Sequence, residues 1–410
     1  MHSRRYQRVS ESNISYVKNE CTGCGACYNV CPISAITMQE GVGGFLYPIV
    51  SDKCISCRKC VETCPAINVI KRKEDIIGSY AMVNGNSVEI LKSSSGGIFL
   101  RVAKYVIENL NGVVFGTIYD KDFEVKIVKT RDEKEIEKMA GSKYLYSNTT
   151  DSFRQVEEEL KNGNVVLYSG VSCQIAGLYS YLKKEYENLF TIEVLCHGAP
   201  SQGLFDKYVK HIEHKYNKKL VSINQRDKSL PWNPLITKRI RLKFDDGNEK
   251  VWAEDFDPYM SLYIREIAYR DVCYSCKYVG TKRNGDLVLG DFGGLGLIEK
   301  CQLDVKKGVS LVLINTKQGE NLINMLEDIN IEPRKLDEVI KLNSCLRSNV
   351  KGPVSREQFM MDYEKLSGEE LFKKYYYNNY AYRMRAIIKR VMFTIVGPNN
   401  VAKIIYKRKK

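Results

Sequence analysis

Histidine is scarce in this 410-residue chain: there are four, His2, His197, His211 and His214. A site built on imidazoles therefore has little to draw on. The opening stretch, MHSRRYQRVSESNISYVKNE, lacks the apolar core of a secretory signal, so export is not expected. No run approaches 18 apolar residues, so no membrane-spanning helix is expected either. Acidic residues stop at Glu370, while eleven Lys and Arg follow it. Of the net charge of +14, the chain up to that point holds only about +3. A nearly neutral body argues against nucleic acid as a partner for the chain as a whole. The composition, 44% hydrophobic and 27% charged, excludes a disordered chain, a collagen-like repeat and a polytopic membrane protein. The length suits two or three domains.

What the chain has in quantity is cysteine, fourteen in all. In a cytoplasmic protein thiols stay reduced, which turns the reading from disulfides to metal. Eight of them form two matching runs. Cys21-x2-Cys24-x2-Cys27-x3-Cys31-Pro32 is followed by Cys54-x2-Cys57-x2-Cys60-x3-Cys64-Pro65. Zinc sites use two C-x2-C knuckles and have no use for the third Cys or the Cys-Pro. The pattern resembles that of bacterial two-cluster ferredoxins over residues of about 17–70. That resemblance implies two 4Fe–4S clusters with crossed ligation. Cys21, Cys24, Cys27 and Cys64 would hold one, and Cys54, Cys57, Cys60 and Cys31 the other. The charged stretch 71–75 then reads as a linker.

From about residue 79 short apolar runs alternate with amphipathic segments. Strands are expected at 79–83, 113–118, 165–168, 189–195, 236–244, 287–289 and 309–314. Helices are expected at 98–110, 134–139, 153–160, 174–182, 203–216, 258–269 and 318–326. This predicts an α/β or α+β body with a mixed sheet. The body shows no repeat of 20–50 residues. Ser94, Ser95, Gly96 and Gly97 open the 98–110 helix and suit a phosphate or flavin, or equally an ordinary N-cap and turn. Cys173, Cys196, Cys273 and Cys276 could hold a third 4Fe–4S cluster or zinc, or be unrelated core thiols. The segment GDLVLGDFGG (285–294) is a buried strand with a glycine turn, or a loop approaching a cofactor. Cys301 and Cys345 read as packing residues.

Taken in order, SSSGGIFL (93–100), GSKYLYS (141–147), LYSGVSCQIAGL (167–178), EVLCHGAPS (193–201), CYSCKY (273–278), GDLVLGDF (285–292) and KGVSLVLINT (307–316) carry a resemblance. They are similar to the beta-subunit family of coenzyme F420-reducing hydrogenases and dehydrogenases, whose members also include bacterial proteins of polysaccharide-biosynthesis loci. The resemblance implies an FAD-carrying iron–sulfur flavoprotein. It makes Cys173, Cys196, Cys273 and Cys276 ligands of a third 4Fe–4S cluster. Ser94, Ser95, Gly96 and Gly97 would hold the flavin or its phosphates, and Gly141, Ser142, Lys143 and Tyr144 would line its face. Lys143 and His197 become catalytic candidates. Coenzyme F420 enters as a substrate, although no residues here read as a deazaflavin pocket. One departure stands out: Val171-Ser172 replaces the family's Thr-Pro before Cys173.

The expected architecture is a ferredoxin-type domain (1–70), a larger mixed-sheet flavoprotein domain (71–365) and a basic helical tail (366–410). The expected function is electron transfer from a ferredoxin-like donor through 4Fe–4S clusters to FAD, which reduces a small organic substrate. A non-catalytic relay subunit of a larger hydrogenase or dehydrogenase is the alternative, and a structural cluster-and-zinc module a third. The tail places Ile387, Ile388, Val391, Met392 and Ile395 on one helical face. It reads as a contact for an anionic membrane at its inner face or for an acidic partner, or as a helix docked on the body.

Overall fold

Each C-x2-C-x2-C run ends in a short helix, because glycine or a left-handed residue turns the chain just before it. Gly25 (φ 75°) precedes helix Ala26–Val30, and Arg58 (φ 62°) precedes helix Lys59–Glu62. Between them β1 (Ile36–Glu40) and β2 (Leu46–Val50) pair antiparallel, with Ile36 opposite Val50. Ile14, Val17, Ile36, Val61 and Ala66 close a small apolar core around Cys27, Cys60 and Cys64. The computed structural model describes residues 13–70, 75–229, 238–296, 299–397 and 400. His2, most of the expected linker (71–74) and the basic residues 403–410 lie outside them.

The body is built on β3 (Gly78–Asn84), β4 (Val113–Tyr119), β5 (Val125–Thr130), β6 (Val166–Val171), β7 (Leu189–Val194), β8 (Leu220–Asp227), β9 (Arg239–Phe244), β10 (Glu249–Ala253), β11 (Leu287–Asp291), β12 (Ser310–Ile314) and β13 (Ile329–Pro333). Eight of these form one mixed sheet in the order β13-β3-β12-β11-β7-β6-β4-β5. Its centre, β4-β6-β7-β11, is parallel, and its edges are antiparallel. The inner strands are mostly apolar and buried (SLVLI in β12, every residue buried) because helices cover both faces. Helix Ile98–Glu108 packs on one face with Met82, Val114 and Leu167. On the other, helices Ser152–Lys161 and Ser172–Leu182 pack with Phe115 and Tyr168. The smaller sheet β10-β9-β8 is antiparallel and shares an aromatic core with helix Gln202–Tyr216.

The mixed sheet agrees with the sequence expectation. Four strands of the body were not foreseen: β5, β8, β10 and β13. Each is short or dotted with charged and amide residues (VKIVKT, LVSINQRD, EKVWA, INIEP), so its alternation is weak. The helix expected over 258–269 stops at Ile264, and Glu266 adopts φ 58° to turn the chain toward the cysteine loop.

The ferredoxin-like segment is packed into the body. Cys24 and Ala26 belong to the apolar cluster of Phe153, Ile175 and Leu178. Arg154 donates to the Asn29 and Tyr28 carbonyls (2.6 and 2.7 Å). Arg270 donates to those of Cys21 and Leu46 (2.7 and 2.6 Å). Gly177 is required where the two meet, since a Cβ there would lie 3.0 Å from the Cys24 sulfur.

Candidate electron-transfer site

The two N-terminal runs exchange their last cysteines. Cys31 lines a cavity of about 320 Å³ together with Cys54, Cys57 and Cys60. Cys64 instead lies with Cys21, Cys24 and Cys27, where burial and the neighbouring thiols raise the pKa of Cys24 to about 12 and that of Cys27 well upward. The first set reaches the surface through Cys57, whereas Cys24, Cys27 and Cys64 are buried. Backbone amides of Gly23 and Ala35 donate to the sulfurs of Cys21 and Cys31 (3.3 and 3.2 Å). Thiols crowded this way in a dry site need a compensating cation to ionise together.

The four dispersed cysteines also converge. β6 and β7 are parallel neighbours, with Val171 opposite Val194, so both end at the same edge of the sheet. Cys173 follows β6 at the start of helix Ser172–Leu182, and Cys196 follows β7. The 3-10 turn Asp271–Ser275 supplies Cys273, and Cys276 follows it. All four line one cavity of about 750 Å³ that opens to solvent. Ligand pockets concentrate at the carboxyl ends of parallel strands. Burial is the first cause raising the thiols of Cys173, Cys196 and Cys273, to about 12 for Cys196 and about 11 for Cys273. The amides of Gly198 and Tyr278 donate to the sulfurs of Cys196 and Cys276 (3.3 and 3.4 Å), and the Tyr146 hydroxyl lies 3.3 Å from that of Cys173. Four thiols around a cavity make the donor set a 4Fe–4S cubane takes.

Arg283 holds the frame of this cavity. Its guanidinium and the Glu193 carboxylate form an ion pair at 3.1 Å, each side chain 1% exposed. It also donates to the Ser172 hydroxyl (2.8 Å) and to the Cys345 carbonyl (3.1 Å). Ser172, which replaces the family's proline, is thereby tied to β7. Cys345 lines the same cavity, a place that its sequence context did not reveal. Cys301 lies elsewhere, donating to Glu332 (3.3 Å).

The third cavity sits between the other two regions of interest. Toward the N-terminal module its wall includes Thr22, Pro65 and Ala66, next to the Cys21/Cys24/Cys27/Cys64 set. Toward the sheet, His197 Nε2 lies 3.2 Å from the Tyr263 hydroxyl, and the Tyr263 and Tyr144 rings are 4.7 Å apart. The Tyr144 hydroxyl accepts from Arg226 (2.8 Å), which also pairs with Asp291 (2.6 and 3.2 Å) and donates to the Ser94 carbonyl (2.8 Å). Ser142 and Ser94 share a 2.8 Å hydroxyl contact. Lys228 donates to the Ile90 carbonyl (2.8 Å), and burial lowers its pKa to about 7.

The residues expected to hold a flavin thus divide. Ser94, Ser142 and Tyr144 meet around Arg226. Ser95 and Gly96 are engaged by β3, by β12 and by the residue before β12: the Ser95 hydroxyl donates to the Val309 carbonyl (2.6 Å), the Gly96 amide donates to the Ser310 hydroxyl (3.0 Å), and a Cβ on Gly96 would lie 2.4 Å from the Met82 carbonyl oxygen. Gly97 and Gly141 adopt φ 83° and 88°, which glycine permits at these turns. Lys143 turns its ammonium to the carbonyls of Lys138, Met139, Ala140 and Gly141 (2.8–3.4 Å), where it caps helix Glu133–Met139. His211 and His214 share helix Gln202–Tyr216; His211 meets the Tyr377 hydroxyl at 3.2 Å. Arg226 and Lys228 went unforeseen because β8 was unread, although Asp291 stood in the 285–294 motif.

Two stretches of the chain match models of known families. Residues 20–68 match the model of the 4Fe-4S dicluster domain, and residues 163–339 match that of the C terminus of the coenzyme F420 hydrogenase/dehydrogenase beta subunit. The chain is 24% identical over 365 residues to an uncharacterized protein of Methanocaldococcus jannaschii, covering 79% of this chain and 93% of that one. It is 25% identical over 363 residues to the coenzyme F420-dependent sulfite reductase of the same organism, covering 84% of this chain and 51% of the reductase. The chain therefore spans about half the length of that reductase. A chain of the F420-reducing [NiFe] hydrogenase complex from Methanosarcina barkeri aligns with a TM-score of 0.46 and 18% identity, over 68% of this chain and 93% of that one. The protein thus joins a stretch that matches the 4Fe-4S dicluster domain to one that matches the C terminus of the coenzyme F420 hydrogenase/dehydrogenase beta subunit, and it is an iron–sulfur, oxidoreductase-like electron-transfer protein related to that subunit.

Proposed function

We propose that this protein is an iron–sulfur flavoenzyme that delivers electrons from a ferredoxin-like donor to a small organic substrate. The observation that carries this reading is the position of the Cys173/Cys196/Cys273/Cys276 cavity, between the Cys21/Cys24/Cys27/Cys64 set and the Arg226–Tyr144–Ser94 niche. In it, Cys31, Cys54, Cys57 and Cys60 hold the outermost 4Fe–4S cluster, Cys21, Cys24, Cys27 and Cys64 the next, and the four converging cysteines a third. Ser94, Ser142, Tyr144, Arg226 and Lys228 hold FAD. The clusters supply one-electron transfer, and a flavin supplies the exchange between single electrons and a hydride.

The chain's own residues set the conditions. Cys57 brings the outer set to the surface, where the exposed Lys59 suits an acidic donor. Burial keeps water from Cys24, Cys27 and Cys64. Arg226 offers positive charge to phosphate or to a reduced, anionic flavin, and Lys228 braces the niche by donating to the Ile90, Ser95 and Lys307 carbonyls. Lys143 fixes the 140–144 turn that presents Ser142 and Tyr144, and His197 orients Tyr263, so both act by positioning. Coenzyme F420, named for the sulfite reductase relative, is one candidate hydride partner, and a sugar or isoprenoid intermediate of polysaccharide synthesis is another.

A second reading, an electron-relay subunit, is favoured by one observation: the related stretch fills only 51% of the sulfite reductase. Anaerobic protein, photoreduced and mixed with candidate acceptors, separates the two. Reoxidation by a small molecule with stoichiometric product supports the enzyme. Reoxidation only on adding a protein partner supports the relay.

A further inference from the structure

Helix Tyr380–Val396 has two faces with different fates. Its inner face is fixed to the body. Ala386 and Phe393 are buried, and the Tyr382 ring receives the Arg265 guanidinium at 5.1 Å. Lys389 and Arg390 both bind the buried Asp255 carboxylate (3.1 and 2.7 Å). Rolling the helix would strand that carboxylate without its cations, so its orientation is locked.

The locked orientation points apolar side chains outward. At about 100° per residue, Tyr380, Met384, Ile387, Ile388, Val391 and Ile395 fall within one arc of about 100°, opposite Ala386 and Phe393. They are between 43% and 77% exposed, and Arg383 and Arg385 flank the arc on its two sides. The sequence after Glu370 carries eleven Lys and Arg and no acidic residue. Among the described residues no helix is long and apolar enough to cross a membrane. An apolar stripe bordered by cations in a wholly basic segment is the chemistry of a helix lying in the plane of an anionic lipid surface.

We propose that the outer face of helix Tyr380–Val396 docks the protein on an anionic bilayer, with its axis parallel to the membrane plane. The proposal is independent of the redox reading. The test sediments the full-length protein with large vesicles of either pure phosphatidylcholine or phosphatidylcholine containing a third phosphatidylglycerol. Binding to the anionic vesicles only, weakened by 0.5 M salt, is expected. Ile387→Ser/Ile388→Ser/Val391→Ser should abolish it, and Arg383→Gln/Arg385→Gln should weaken it by roughly 5- to 25-fold, at about fivefold per charge. Val221→Ser, at another exposed apolar site, should leave it unchanged. Iron content of every variant should equal that of the parent. If the triple variant loses iron, Val391→Ser/Ile395→Ser asks the same question. Failure of the parent to sediment with anionic vesicles, or undiminished binding by the apolar variants, overturns the proposal. A parent dimer that these variants make monomeric, with lipid binding unaltered, would assign the face to a second copy instead.

Discussion

Two kinds of cysteine site stand side by side in this protein. The N-terminal pair is local: eight thiols within 44 residues, each run turning on its own left-handed residue into its own short helix. The third is assembled from afar, by two parallel strands and a turn whose cysteines span residues 173 to 276. A local site depends on spacing, which survives much change around it. A dispersed site depends on the sheet register and on the groups that hold the loops, Arg283 first among them. The difference predicts that the two will fail separately.

Arg283→Met should show the largest effect. It leaves Glu193 buried without its partner, costing about 3–5 kcal/mol in chemical denaturation. Iron should be lost from the third site while the N-terminal iron stays, and loss from both sites together would mean the two are one cooperative unit. Arg226→Gln should act on the niche alone. Removing a charged donor costs about 1.5–3 kcal/mol, which corresponds to a 10- to 100-fold weaker flavin affinity in a titration of stripped protein, with iron unchanged. Unaltered affinity would move the flavin elsewhere.

Gly177→Ala probes the seam between the two kinds of site. The added methyl meets the Cys24 sulfur at 3.0 Å, so overpacking should cost about 1–3 kcal/mol and shift the electron-resonance signal of the Cys24 set without removing iron. Tyr146→Phe should be mildest. It removes the hydroxyl beside the Cys173 sulfur, costs about 1 kcal/mol, and shifts only the signal of the third site.

The same contrast explains what could be read from the residues beforehand. The ferredoxin-like spacing is legible because the cysteines within each run lie three or four residues apart. The inner strands are legible because two-sided burial writes them as largely apolar runs, as in SLVLI of β12. Grouping Cys173 with Cys196 followed from both coming after strands, but the edge they share is a fact of topology. Cys345 gave no sign at all, since only the Arg283 contact and the chain's return past Gly280 bring it to the cavity. Lys143 looked like a free cation next to a glycine, and helix Glu133–Met139 claims it through its terminal carbonyls. Arg226 and Lys228 sit at the end of a strand whose polar residues hid it.

The claim that matters most is that the dispersed cysteines hold a cluster of their own. Anaerobic determination of iron, zinc and flavin on the parent and on Cys196→Ser tests it directly. Three four-iron clusters give about 12 iron atoms per chain with one flavin, falling to about eight in the variant. Eight irons in the parent with one zinc, or a count indifferent to Cys196, would contradict it.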